Sequence, residues 1–165
     1  MKTTLLMTLL FLAGSISAVG QTAKVDPDKL RILEGSEWVD TLTYLDYSSN
    51  KKTSIKSNLK ISGLSSNDRG WKFDYIYPEE PKANSSSFVR LNSDGSTING
   101  QKVIEFSKEG SQSKLVTESE GTDSGKKAVF RFTYLYSPKS FSVKKEVKAE
   151  GTSEFFERNT YSWTR

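Results

Sequence analysis

Residues 130–136 read FRFTYLY, with an aromatic side chain at every second position and Arg131, Thr133 and Leu135 between them. A period of two is that of a β-strand that turns one face toward a core. The same alternation runs through residues 55–61 and 71–77, and in a weaker form through 37–47, 87–92, 97–107, 112–119, 141–149 and 154–164. Clusters of Gly, Asn, Asp, Ser and Pro separate these segments, and no long stretch has a helical period. The pattern predicts an all-β domain of antiparallel strands, either an up-and-down barrel of about eight to ten strands or a sandwich.

The turns on either side of residues 141–149 predict how the last three strands pair. A tight turn at residues 137–140 sets Tyr136 opposite Phe141, Tyr134 opposite Val143, Phe132 opposite Lys145 and Phe130 opposite Val147. A two-residue turn in the next connection would place Lys145 against Arg158, and the two faces would not match. A three-residue loop at 150–152 instead sets Val147 opposite Phe155, Lys145 opposite Glu157, Val143 opposite Asn159 and Phe141 opposite Tyr161. The three-residue loop is favoured because it brings opposite charges and apolar faces together.

This register predicts a mainly aromatic interior that includes a few polar side chains. One interpretation is that Lys145 and Glu157 form a structural ion pair near the barrel mouth, since a buried charge without a partner costs several kcal/mol. The other is that they are the polar anchors of an aromatic-lined cavity, which is the usual composition of a small-molecule site. The aromatic stripe of residues 71–77 is either core or pocket lining. The candidate ligand-binding residues are Tyr134, Tyr136, Phe132, Lys145, Glu157, Asn159, Tyr161, Trp71, Phe73 and Tyr75.

The first twenty residues have the layout of a secretory signal peptide. Lys2 precedes an apolar run at residues 5–13, and small residues up to Gly20 offer cleavage sites after Ala18 or before Gln21. The apolar run is too short to span a bilayer, and no second candidate span follows it. We therefore expect a signal peptide at 1–20, a single domain at 21–165, and a secreted or periplasmic location. A short helical turn is predicted at residues 27–33, with Asp26 as its N-cap and Pro27 in its first position.

Composition excludes several classes of chemistry. The chain has neither histidine nor cysteine, so it offers no Ser-His-Asp or Cys-His catalysis, no zinc site on those ligands, and no disulfide. No catalytic residue, metal or cofactor is assigned. The formal net charge is +4, and the positive charges are scattered singly, which argues against a nucleic acid partner. A small hydrophobic ligand is the partner that we expect.

The stretch LEGSEW at residues 33–38 leads into the first strand, and it resembles the opening of the lipocalin-like (calycin) barrels. In that family a short helical turn leads to Gly-x-Trp, and an Arg from the last strand covers the Trp ring; here the spacing is Gly-x-x-Trp. The resemblance implies that Gly35 and Trp38 close one end of a barrel together with Arg165 or Arg158. It also implies an apolar cavity that opens at the other end. Haem is not carried over, because the haem-binding relatives use a His that this chain lacks.

Three hypotheses about function follow. The leading one is a non-catalytic secreted or periplasmic barrel that binds a small hydrophobic or amphipathic ligand, and it requires a cavity above about 300 Å³. The second is a structural or protein-interaction module of the cell envelope with a filled core, which an exposed apolar patch would favour. The third is a barrel lyase or isomerase that uses Glu157 with Lys145 or a tyrosine, which requires those side chains to face the interior.

Overall fold

The computed structural model describes residues 23–35, 37–46, 48–64 and 69–165. Ten strands form one antiparallel sheet: β1 Glu37–Asp46, β2 Lys51–Gly63, β3 Gly70–Ile76, β4 Ser85–Arg90, β5 Thr97–Ile98, β6 Gln101–Glu109, β7 Gln112–Asp123, β8 Lys126–Tyr136, β9 Ser140–Ala149 and β10 Phe156–Thr164. The predicted signal peptide lies outside the described residues. Within them, no helix is both long and apolar enough to cross a membrane.

The sheet is an up-and-down meander that curls into a nearly closed barrel. Its order is β4-β3-β2-β1-β10-β9-β8-β7-β6-β5, so that the first strand pairs with the last. Leu91, just past the end of β4, forms an isolated bridge with Ile98 of β5 and joins the two outer strands of the sheet. The prediction of an all-β, antiparallel barrel is confirmed, and the architecture fits the lipocalin-like type of barrel in general.

The N-terminal segment packs against one end of this barrel. The predicted helical turn is present as two consecutive 3₁₀ turns, Pro27–Lys29 and Arg31–Leu33, and the carboxylate of Asp26 accepts a hydrogen bond from the Asp28 backbone N–H. Leu30 and Leu33 are buried and join the hydrophobic core of the barrel. A third 3₁₀ turn, Pro81–Ala83, lies in the connection between β3 and β4.

Two strand boundaries differ from the sequence prediction because turns lie at other positions. The predicted strand at 97–107 is broken by Asn99 and Gly100, which both have positive φ and form the turn between β5 and β6. The predicted strands at 112–119 and 130–136 are longer in the structure. The turn of the hairpin that joins these two strands lies at Ser124 and Gly125, which both have positive φ. Gly121 comes before this turn and is part of β7.

The register between β8 and β9 is the predicted one, with Tyr136 opposite Phe141 and Phe132 opposite Lys145. The predicted register between β9 and β10 is wrong. A bulge lies between Glu157 and Asn159, which places Asn159 opposite Lys145, Tyr161 opposite Val143, Trp163 opposite Phe141, Phe156 opposite Val147 and Glu157 opposite Glu146. The bulge shifts the pairing without turning the Tyr161 and Trp163 side chains away from the interior.

The prediction that Phe155 faces the interior is wrong. Its ring lies against two cationic side chains, with the Arg131 guanidinium 3.9 Å and the Lys148 ammonium 5.1 Å from its centroid. Arg131 alternates with the inward aromatics of β8, and it pairs with Glu118 on the same strand face. Phe155 is therefore an outer-surface residue, held by cation–π contacts.

The core lies inside the barrel, toward the end that the N-terminal segment covers. Rings from β3 meet rings of strands that do not border it: Phe73 lies 6.3 Å from Phe141 of β9, and Tyr75 lies 6.3 Å from Trp163 of β10. Such contacts are made only across the barrel interior. The largest fully buried side chains are Trp38, Trp71, Trp163, Tyr136 and Phe141.

Candidate functional site

One end of the barrel, here called the closed end, is sealed around Trp38. The indole is fully buried, and its Nε1 donates a hydrogen bond to the Leu33 carbonyl at 3.1 Å. The Arg165 guanidinium lies 4.2 Å from the centroid of the Trp38 ring and donates to the carbonyls of Ile32 and Pro138. Three parts of the chain thus meet on one indole: the N-terminal turns, the β8–β9 turn and the end of β10.

Two neighbours of Trp38 in the sequence also contact the closed end. Gly35, at φ +81°, donates its backbone N–H to the Ile61 carbonyl of β2. The Glu34 carboxylate accepts hydrogen bonds from Trp71 Nε1 and from Arg31. Glu34 was not singled out in the sequence, since nothing in a period-two pattern marks an acid that lies before the first strand. The second Arg candidate, Arg158, lies elsewhere and pairs with Asp123.

The interior of the closed end is filled by side chains. The cavity enclosed there has a volume of about 30 Å³ and is lined by apolar or aromatic residues that include Trp71, Phe73, Tyr136 and Phe141. This volume is far below the about 300–1,000 Å³ of a small-molecule site. The structure therefore places three of the predicted ligand-binding residues, Trp71, Phe73 and Tyr136, in the core.

The interior at the other end, here called the open end, is reached by solvent. A single row of cross-strand neighbours runs through it, from Phe132 of β8 through Lys145 of β9 and Asn159 of β10 to Tyr44 of β1. All four side chains are only partly buried, in contrast to the closed end. A depression of about 480 Å³ opens beside Tyr44 and Asn159, under the β3–β4 connection. Of the predicted site residues, the structure brings Phe132, Lys145 and Asn159 together here.

Lys145 is the cation of this row. Its ammonium lies 4.7 Å from the centroid of the Phe130 ring and 5.7 Å from that of Phe132. Among the described residues, no carboxylate lies within 4.0 Å of Lys145 Nζ. Two aromatic faces thus stabilise the positive charge of Lys145 in place of an anion. Cation–π contacts of this kind contribute about 0.5–2 kcal/mol each.

Glu157, the predicted partner of Lys145, is not in the interior. Its carboxylate lies 3.3 Å from the Lys52 ammonium and accepts a hydrogen bond from the Thr160 hydroxyl. Lys52 is largely exposed, and Thr160 pairs with Lys144 on the strand face opposite to Lys145. The bulge in β10 produces this placement, since it removes Glu157 from the alternation that Asn159 and Tyr161 follow. The predicted ion pair is wrong, and the acid that the lyase or isomerase hypothesis needs lies outside the barrel.

Between the two ends lies a layer of tyrosines. The hydroxyl groups of Tyr77, just past β3, and Tyr161 of β10 are 2.8 Å apart, and Tyr75 packs against Tyr161 with ring centroids 5.5 Å apart. Burial raises the pKa of Tyr75, Tyr134 and Tyr161 above the usual value of 10.0, most strongly for Tyr161, where the neighbouring Tyr77 adds to the effect. These phenols therefore stay protonated and act as neutral hydrogen-bonding groups.

An ion pair reaches across the sheet at the open end. Arg158, the extra residue of the bulge, lies beside the depression, and its guanidinium is 3.4 Å from a carboxylate oxygen of Asp123 at the end of β7. In the sheet, β7 and β10 are separated by β8 and β9. Neither Arg158 nor Tyr44 was singled out as a site residue in the sequence. The alternating pattern does not reveal the bulge that contains Arg158. Tyr44 is one of several aromatic residues in alternating segments, and nothing in the sequence distinguishes it from the others.

No metal-binding cluster of three or more acidic side chains is present in the part of the chain that the structure describes. Exposed large apolar side chains there belong to five different elements: Ile32, Val39, Phe88, Ile104 and Phe156. No single element thus presents the apolar patch that the interaction-module hypothesis would favour.

Comparison with known proteins supports the fold alone. No protein-family model matches the chain, and no curated protein matches it in sequence. A solved structure described as the crystal structure of Rv2717c from M. tuberculosis is similar, with a TM-score of 0.56 at 11% sequence identity. The match covers 84% of this chain and 95% of that one. The chain is therefore similar to that protein in the architecture of its barrel.

Proposed function

We propose that this protein is a non-catalytic barrel that binds a small hydrophobic or amphipathic molecule at its open end. The observation that carries the proposal is the contrast between the two ends of one interior. The enclosed cavity at the closed end has a volume of about 30 Å³, whereas an open depression of about 480 Å³ lies beside Tyr44 and Asn159 at the open end. Sites for small molecules commonly have volumes of about 300–1,000 Å³.

The lining at the open end has the composition of such a site. Leu42, Leu45 and Ile55 supply apolar surface, and Tyr44 and Tyr77 supply aromatic surface with a polar edge. The polar groups of the lining are Asn159, Arg158 and Glu80. Mostly apolar walls with a few polar groups are what orient a small ligand without reacting with it. Non-catalytic binding also agrees with the separation of Glu157 from Lys145.

Phenylnaphthylamine, an uncharged dye that fluoresces on entering apolar sites, tests the proposal. Ala83 lines the depression from the β3–β4 connection and is exposed, so Ala83→Trp is expected to fill the site and weaken dye binding by at least about tenfold. Lys82→Trp is the matched control, since Lys82 is the exposed neighbour of Ala83 and does not line the depression. No binding by the wild-type protein, or equal weakening by both variants, would contradict the proposal.

Export is part of the same proposal, and it is supported by the signal-peptide pattern of residues 1–20. The intact mass of the protein isolated from its source is the measurement. We expect the mass of a chain that begins after Ala18 or Gly20. A protein that retains Met1, or lacks only that residue, would refute export by this route.

A further inference from the structure

We infer that the ligand of the open end is an amphipathic monoanion, an apolar body with one carboxylate- or sulfonate-like charge, and that Lys145 binds this charge. The inference rests on the proposed function and adds the chemical class of the ligand. It begins from the one cation of the interior row of Phe132, Lys145, Asn159 and Tyr44.

Lys145 has the surroundings of an anion anchor. Its ammonium is held by the rings of Phe130 and Phe132, with no carboxylate among the described residues within ion-pair distance. The next residue, Lys144, differs in this respect: it lies on the outer face and pairs with Glu146 at 3.0 Å. A partly buried cation without a counterion attracts an anion more strongly than an exposed one, because solvent screens it less.

The neighbours of Lys145 define the rest of the head-group site. Asn159 lies directly opposite in β10, and its side-chain amide adds an uncharged hydrogen-bond donor beside the ammonium. Arg158 is already paired with Asp123, and Glu80, the carboxylate that lines the depression, is exposed. Lys145 is therefore the cation of the interior row with no carboxylate of the described residues within ion-pair distance. One uncompensated positive charge suits a ligand with one negative charge better than a phosphate dianion. The aromatic rings around it suit an apolar body.

Two dyes that share one ring system separate this inference from the proposed function. Anilinonaphthalene sulfonate carries a sulfonate, and phenylnaphthylamine is its uncharged counterpart. The wild-type protein is expected to bind the sulfonate at least about tenfold more tightly, since only the sulfonate can accept a charge-assisted hydrogen bond from Lys145. Fluorescence titration at equal dye concentrations measures this preference without any substitution in the protein.

Lys145→Gln is expected to abolish the preference for the sulfonate, so that the two dyes bind this variant with similar affinity. Lys144→Gln, the matched control on the outer face, should leave both affinities unchanged. Equal affinity of the wild-type protein for the two dyes, or equal loss of sulfonate binding in both variants, would overturn the monoanion inference while the proposed function stands. Failure to bind either dye would overturn both. Circular dichroism verifies that each variant is folded, and the wild-type comparison decides the question if Lys145→Gln does not fold.

Discussion

Arg165 illustrates how a single side chain joins distant parts of the chain. Its guanidinium covers the Trp38 ring at 4.2 Å while its N–H groups reach two backbone carbonyls, those of Ile32 and Pro138. Those carbonyls belong to segments that the sheet leaves without strand partners, so Arg165 satisfies them as a planar donor can and a point charge cannot. Trp38 and Arg165, the Trp and Arg of the LEGSEW resemblance, are therefore in contact. The sequence spacing from Gly35 to Trp38 is one residue longer than in the Gly-x-Trp of the lipocalin-like barrels.

Arg165→Ala is expected to lower the free energy of unfolding by about 2 kcal/mol, through the lost cation–π contact and the two lost hydrogen bonds. Arg165→Lys keeps the positive charge but not the planar set of N–H donors, so we expect about half of that loss in the free energy of unfolding. Urea unfolding followed by tryptophan fluorescence measures both. Lys108→Ala, at an exposed position, is the control and should change stability by less than about 0.5 kcal/mol. Equal stability of Arg165→Ala and the wild type would show that the closed end does not depend on Arg165.

At the scale of elements, the β8–β9 hairpin was predictable and the β9–β10 pairing was not. The four-residue turn at 137–140 leaves only one register in which the aromatic face of β8 meets the apolar face of β9. The connection after β9 is longer, and the bulge at Arg158 shifts the register while Tyr161 and Trp163 keep the same face. A period-two pattern does not reveal a one-residue bulge, and residues beyond an unrecognised bulge are assigned to the wrong face. That is why the alternation of Asn159 and Tyr161, continued back along the strand, predicts Glu157 and Phe155 inside.

The N-terminal segment is fastened to the barrel at the turn before β5. The Val25 N–H donates to the Gly95 carbonyl at 3.0 Å, and Val25 is buried. A Cβ on Gly95 would lie 2.4 Å from the Val25 carbonyl oxygen, and Gly95 has a φ of +78°. The segment and the turn therefore approach each other more closely than a side chain allows.

Gly95→Ala is expected to destabilise the protein by about 3 kcal/mol or more, since left-handed strain and a backbone clash add. Gly100→Ala is the matched control: Gly100 also has a φ of +78°, but nothing lies within 4 Å of its Cβ position. We expect about 1 kcal/mol for the control, from backbone strain alone. Thermal and urea unfolding compare the two. Similar losses in both variants would rule out the close approach as a cause.

At the scale of the whole molecule, a folded barrel keeps its tyrosines protonated. Burial raises the pKa of Tyr136 to about 12 and raises those of Tyr75, Tyr134 and Tyr161 above the usual 10.0. In the unfolded chain these phenols titrate near the usual value. Above that pH the unfolded state loses protons that the folded state retains, so the folded state becomes less stable as pH rises.

We expect the free energy of unfolding to be insensitive to these tyrosines below about pH 9 and to fall steeply from about pH 10 toward pH 12, by about 1.4 kcal/mol per pH unit for each retained proton. Urea unfolding between about pH 8 and pH 11 measures the slope, and phenolate absorbance should appear together with unfolding. Tyr161→Phe removes one such proton and should reduce the slope by one proton's share. A slope that is unchanged in this variant would contradict the assignment to Tyr161.

The sequence by itself determined the all-β class, the aromatic inner face of β8 and β9, the N-terminal turns and the absence of histidine and cysteine chemistry, because alternation, turn residues and composition are local properties. It also indicated that Trp38 and an Arg meet. Tertiary structure alone decided which end is filled and which is open, that Asn159 rather than Glu157 faces Lys145, and that Trp71 and Phe73 are core. The physical reason is that these outcomes depend on how strands from opposite sides of a barrel fill a shared volume. Neither that volume nor the bulge in β10 appears in the pattern of any one strand.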